Sequence, residues 1–176
     1  MRWSKWFVLA TVLSGICCVA QTSPDAATQK PTSTDPGFTI TVAPPASPIR
    51  VGSPIKVTIT VKNVTNSDIY WNSDRGPDTV YKAFRLLLRK DGREVETTFF
   101  HRKITGRNRP GDPNEVGSGS SILLPHPPGT MFVMTIDLKR LYEITEPGEY
   151  TLDVSRIEDG NKTTVHANIV TLKIVP

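Results

Sequence analysis

From Ile55 to Lys62 the chain alternates without a break. Ile55, Val57, Ile59 and Val61 are apolar; Lys56, Thr58, Thr60 and Lys62 are polar. A period of two places the four apolar side chains on one face of an extended strand, a placement no helix can give them. A strand with one greasy face has to be covered, so this segment commits the chain to a sheet packed against another layer.

The pattern recurs along the sequence. Phe38, Ile40 and Val42 alternate with Thr39 and Thr41, and Pro44-Pro45 ends that strand. Phe84, Leu86 and Leu88 alternate with Arg85 and Arg89. Lys90-Asp91-Gly92-Arg93 then predicts a hairpin, since glycine accepts the positive φ such turns need, with Glu94 to Phe100 as the return strand. Tyr150, Leu152 and Val154 alternate with Thr151, Asp153 and Ser155, and Glu158-Asp159-Gly160-Asn161 reads as a second hairpin. In the last run Val165, Ala167 and Ile169 share one face, whereas Val170, Leu172 and Ile174 hold the next register, which predicts a bulge near Ile169-Val170. Shorter strands are expected at Ile69-Tyr70-Trp71, Ile122-Leu123-Leu124 and Met131 to Ile136. Asn72 to Asp78 and the stretch from Ile104 to Ser121 read as loops, the latter broken by glycine and proline. The 15 prolines fall between apolar runs rather than within them, as short strands joined by turns require. Seven to nine strands with no helix of useful length predict an all-β, antiparallel two-sheet sandwich.

The N-terminal segment has a different character. Arg2 and Lys5 precede Trp6 to Val19, which is almost wholly apolar or small, and Ala20 stands before Gln21. This three-part pattern is that of a secretory signal peptide, residues 1–20, and its apolar run is shorter than the roughly twenty residues a bilayer span needs. Two other readings stay open: an uncleaved anchor, and lipidation at Cys17, although Ile16 stands where a lipobox needs a small residue. Both cysteines, Cys17 and Cys18, lie in this segment, so cleavage after Ala20 leaves a mature chain with no thiol chemistry. Residues 21–36 are rich in Ser, Thr, Pro, Ala and Gln with no large apolar side chain, and read as a flexible spacer. The folded domain is expected over 37–176, and the expected location is secreted or periplasmic, without a membrane span once the signal is removed. Formal net charge is +4, of which Arg2 and Lys5 supply two, so nothing in the overall charge points to nucleic acid.

One stretch carries a resemblance. Asp137-Leu138, Leu141-Tyr142 and Pro147-Gly148-Glu149-Tyr150 resemble the corner of immunoglobulin-like sandwiches, where one helical turn joins two strands and a tyrosine bonds back to upstream backbone. The resemblance implies structural roles for Tyr150, Gly148 and Asp137, with Asp137 capping the turn. More widely, Phe84-Arg85-Leu86, Lys90-Asp91-Gly92-Arg93-Glu94-Val95, Pro128-Gly129 and Ile136 to Tyr150 resemble the sandwich module beside the catalytic domain of secreted deuterolysin-type zinc metallopeptidases. Val61 to Thr65 fits the same kind of module. These are turn and core residues that speak to fold. The peptidases' His-Glu-x-x-His motif is absent, so no peptidase activity carries over.

Chemistry-bearing motifs are sparse. His101, His126 and His166 lack partners at metal-ligand spacing. Asp74 with Asp78, and Asp112 with Glu115, place acids on loops without the dense alternation of a calcium loop. No nucleophile elbow or phosphate-binding glycine loop is present. Two surface candidates remain. His101 to Arg109 concentrates four positive charges, Arg102, Lys103, Arg107 and Arg109, and suits an anionic partner. Tyr70, Trp71 and Tyr81 flank the Asn72–Asp78 loop, where exposed aromatics would hold a sugar or peptide; against this stands Trp71 as a core tryptophan. The sequence therefore predicts an exported, non-enzymatic binding or interaction module with no cofactor and no metal, its partner a polysaccharide or protein at the cell surface. The alternatives are an accessory protein or small hydrolase with a dispersed site, and a structural component of the cell envelope.

Overall fold

The computed structural model describes residues 36–45, 48–74, 78–112, 121–158 and 162–176. The expected signal segment and all but the last residue of the expected spacer lie outside them. The described chain is all-β, with strands β1 (Phe38–Ala43), β2 (Ile49–Arg50), β3 (Lys56–Asn63), β4 (Ile69–Asp74), β5 (Arg85–Lys90), β6 (Arg93–Glu94), β7 (Ser121–His126), β8 (Met131–Asp137), β9 (Gly148–Ile157), β10 (Thr164–His166) and β11 (Val170–Val175). Two short helices, α1 (Thr79–Lys82) and α2 (Phe99–Thr105), and a 3-10 turn at Leu138–Arg140 complete it.

The strands form two layers and a ribbon. One sheet has the order β1-β3-β8; the other runs β2-β11-β9-β5-β6 with β10 also on β9; β4 and β7 pair as a separate ribbon. Pairing is antiparallel except between β2 and β11, which run parallel. The period-two pattern becomes the core: Ile40, Val57, Ile59, Val61 and Ile136 from the first sheet, with Leu86, Leu88, Leu152, Val154, Leu172 and Ile174 from the second, form one buried cluster. Burying such side chains stabilises by about 1.5–3 kcal/mol each.

The corner between β8 and β9 holds two tyrosines. Tyr150 donates from its hydroxyl to the Glu146 carbonyl at 2.8 Å, the back-bond that the corner motif implies. Tyr142, buried like Tyr150, donates to the Leu86 carbonyl at 2.7 Å in a fully buried bond, whereas the Tyr150 bond is partly buried; it satisfies an acceptor on the outer edge of β5. Asp137 Oδ1 accepts from Lys139 N, capping the 3-10 turn, and also from Ile55 N at the entry to β3. Gly148, at φ 147°, opens β9.

The first hairpin signal holds; Asp159, Gly160 and Asn161 of the second lie outside the described residues, and the strands flanking them, β9 and β10, pair antiparallel. Asp91 (φ 50°) and Gly92 (φ 76°) take the paired positive φ of a tight turn between β5 and β6. The phase change falls between β10 and β11. His166 pairs with Ser155 and Val170 with Leu152, so four steps on one strand match three on β9. Asn168, in that extra stretch, accepts from Val42 N and donates to Val42 O, clamping β1 of the opposite sheet as a strand neighbour would.

Four expectations are corrected. The return strand after Gly92 is only Arg93–Glu94, and 99–105 is helix, because Thr98 accepts from His101 N at one end and Gly106 closes the other. Phe100 and Ile104, one turn apart on α2, then pack on the core. The segment 72–74 is strand rather than loop, since it pairs with β7 in register, Asn72 against Leu123 and Asp74 against Ser121. The strand expected at 122–124 extends through Pro125 and His126, with Pro125 opposite Tyr70 in a two-stranded ribbon where its missing N–H is tolerated. Ile169, expected to share a face with Val165, is exposed, because the extra residue turns it away from the core.

Candidate functional site

The outer face of the second sheet carries a groove of about 560 Å³ walled by the end of α1, by β5 and by the β9–β10 hairpin. Its origin lies in side-chain lengths along one row of the sheet. Arg85 on β5 pairs with Ser155 on β9, which pairs with His166 on β10. A short, buried serine between two longer outward side chains leaves a notch about two strand spacings wide, close to 10 Å. The next outward position on β9, Asp153, pairs with Leu87. Ile157, 57% exposed, and Thr164 line the far end.

Among the described residues, Lys82, Arg85 and Arg156 line the groove together with the carboxylate of Asp153. His166 Nδ1 lies 3.4 Å from Asp153 Oδ1, a long contact that leaves Nε2 on the other side of the ring. Arg156 is committed inward: its guanidinium lies 3.6 Å from the centre of the Trp71 ring and donates to the Ala83 carbonyl at 2.7 Å. That stack fixes the wall between α1 and β9.

Serine, histidine and aspartate thus meet in one place, and the geometry is not that of an activated nucleophile. No hydrogen bond joins Ser155 to His166 among the described residues, and Ser155 is 6% exposed on the groove floor. A nucleophile and its base have to lie within hydrogen-bond reach, with donors around the reacting oxygen.

The surface candidates from the sequence lie elsewhere. Tyr70 is 58% exposed, but Trp71, next on the strand, points the opposite way into the core, where it packs against Phe38, Phe84 and Phe132. Tyr81 is also buried, edge-on to Phe100. The expected aromatic platform reduces to Tyr70 alone, because strand alternation sends neighbouring residues to opposite faces. Trp71 is corrected from ligand contact to core residue.

The basic stretch is likewise tied up at home. Arg102 donates to both Asp112 carboxylate oxygens at 3.0 Å and to the Thr97 carbonyl. Asp112 also accepts from Arg109 N at 2.8 Å. The Arg102 guanidinium, and after it that backbone N–H, hold the Asp112 carboxyl down to about 2. The Arg109 side chain bonds to Glu96 at 2.7 Å. Lys103 sits on α2, and Arg107 gives its backbone N–H to the Arg102 carbonyl in the helix cap. Arg102 therefore ties a loop to a helix and is corrected from ligand contact to fold residue; Arg107 stays exposed.

The remaining candidates are placed as follows. His101 is half-buried on α2 beside Tyr142, and burial lowers its pKa. His126 stacks on Phe132. Asp78 accepts from Arg140 at 3.1 Å, while Glu115 lies outside the described residues. No cluster of three metal-ligating side chains occurs among the described residues. Asn63, which with Val64 and Thr65 matches the N-glycosylation tripeptide, is 1% exposed, its amide donating to the Ser67 and His126 carbonyls and its oxygen accepting from Thr65 N and Oγ1. Asn161, which with Lys162 and Thr163 matches the same tripeptide, lies outside the described residues.

Sequence reasoning did not assemble the groove. Arg85, Asp153 and Ser155 were legible as outward positions, and His166 was noted. What brings them together is the pairing of β5 with β9, a long-range choice that alternation does not encode.

Comparison with known proteins assigns the chain to no family. No family model and no curated protein matches the chain. Among solved structures it is similar to the CARDB domain of PF1109 from Pyrococcus furiosus, at 12% identity over 79% of this chain and 94% of that one, with a TM-score of 0.39. It is also similar to part of a β-glucosidase from Listeria innocua, at 14% identity over 78% of this chain, with a TM-score of 0.38; the match spans 16% of the enzyme. No comparison links the chain to deuterolysin-type peptidases, and the sandwich-like β architecture rests on the strand pairing described above.

Proposed function

We propose that this protein is an exported, non-enzymatic binding module that acts at or outside the cell surface. The groove across β5, β9 and β10 carries the reading: an open concavity on a regular sheet, lined by apolar surface together with Arg85, Asp153, Ser155 and His166, the serine and histidine not bonded to each other. Regular strands hold such side chains at fixed spacing, which suits recognition. The N-terminal signal pattern supports export, and a polar spacer would tether the module without ordering it.

The test is a glycan and peptide array probed with the exported protein at low and moderate salt. Saturable binding, with the bound ligand recovered chemically unchanged, supports the reading. Hydrolysis of a model ester or glycoside that disappears in Ser155→Ala would replace it with the hydrolase alternative. Absence of any binding would leave the envelope-structural alternative ahead.

A further inference from the structure

We propose that the free edge of β8 pairs with the β8 edge of a second copy of this chain, so that two three-stranded sheets join antiparallel about a two-fold axis at Val133. The interface lies on the first sheet and does not involve the groove on the second.

Strand register decides which backbone groups are free. Asn63 N bonds to the Thr130 carbonyl and Leu138 N to the Ile55 carbonyl, at the two ends of the β3–β8 ladder. In an antiparallel ladder alternate residues bond to the partner strand and those between face away. Phe132, Met134 and Ile136 therefore turn their N–H and C=O groups toward β3, and Met131, Val133 and Thr135 turn theirs outward. Among the described residues, no backbone group bonds to that outward edge. The same three side chains are exposed, Met131 at 64% and Val133 at 63%. The start of α1 lies just past the strand's end, where Asp78 bonds to Arg140, and it leaves Thr135 exposed.

The other edges of the two main sheets are guarded. β1, on the far side of the same sheet, is clamped at Val42 by both ends of the Asn168 amide. The second sheet ends in β2 and β6, each two residues long, and β6 is Arg93-Glu94. β8 has seven residues, and from Met131 to Ile136 it carries no charge, proline or bulge. An edge left in that state is a template for another strand. A second copy fits it because the edge complements itself. With the axis at Val133, that residue meets its counterpart and Met131 meets Thr135 on each side, giving roughly six hydrogen bonds between outward groups. Every facing pair is neutral, so no like charges come opposite one another. Phe132 and Met134, half-buried against the core, also come face to face, which covers their remaining apolar surface and carries the inner layer through the axis. So short a pairing is smaller than a standard interface and predicts a reversible dimer of modest affinity.

The experiment is sedimentation equilibrium of the exported protein up to about 1 mM, with backbone-amide hydrogen exchange read at low and high concentration. A monomer–dimer equilibrium is expected, with the Val133 and Thr135 amides protected only in the dimer. Val133→Lys, which sets two ammonium groups face to face on the axis at an exposed position, is expected to raise the Kd by about tenfold or more. Ile169→Lys, at an exposed apolar residue between β10 and β11, is expected to leave the Kd unchanged. A Kd indifferent to Val133→Lys, or a dimer whose Val133 and Thr135 amides exchange as they do in the monomer, would overturn the proposal. So would amides already protected in the monomer, which would show the edge covered by the chain's own residues. A chain that stays monomeric throughout would likewise overturn it and leave the edge to a strand from another protein.

Discussion

Two phenols and one amide carry much of the specificity of this sandwich. The Tyr142 hydroxyl reaches across to the Leu86 carbonyl from a nearly closed site, and burial pushes its pKa above the ordinary phenol value. Tyr150 makes the equivalent bond to Glu146 from a site more open at the hydroxyl end. Tyr142→Phe should therefore cost about 1.5–2 kcal/mol and Tyr150→Phe about 1 kcal/mol, because the stranded carbonyl at Glu146 regains water more easily. Urea melts of the two variants read the difference, and equal costs would show that burial is not what separates them. Asn63 is the larger stake. Its side chain satisfies two carbonyls and a backbone N–H at the point where β3 ends and the β7–β8 connection passes. Asn63→Ala should cost about 2–4 kcal/mol, since it leaves several buried polar groups without partners. A cost below about 1 kcal/mol would mean that water replaces the amide.

At the scale of elements, α2 and the loop that follows form a unit held by Arg102 and Asp112. The folded carboxyl is depressed to about 2, so the pair contributes stability above the carboxyl's ordinary value, about 3.9, and that contribution is lost as pH falls toward 2. The Asp112 side-chain carboxyl resonance should titrate with a midpoint near 2, and Arg102→Gln should move that midpoint back toward the ordinary value. A wild-type midpoint at the ordinary value would show that another contact holds the loop.

Legibility divides along similar lines. Strands with clean alternation, β1, β3, β5 and β9, are plain in the sequence because burial has one solution for them. The α2 helix is hidden because its cues, Thr98 and Gly106, are weak local signals set among β-prone Thr and Phe residues. The groove is hidden for a different reason: its residues sit on strands separated by most of the domain. The basic run at 102–109 misleads because a sequence shows charges without their partners; Asp112 and Glu96 neutralise two of the four.

At the scale of the molecule, the proposed function combines an N-terminal segment read as an export signal, a polar stretch read as a tether and a sandwich proposed to bind through its outer face. Mass spectrometry of the exported protein should find Gln21 as the first residue, and an intact Met1 would contradict export by cleavage. The central claim, that this face binds a ligand without transforming it, is tested most directly by probing one glycan and peptide array with two proteins side by side. These are the wild type and the double variant Arg85→Gln/His166→Gln, first shown to melt at the same temperature. The account predicts a set of ligands bound by the wild type and lost or weakened at least tenfold in the variant. Identical binding by both proteins would contradict it and move the binding surface elsewhere.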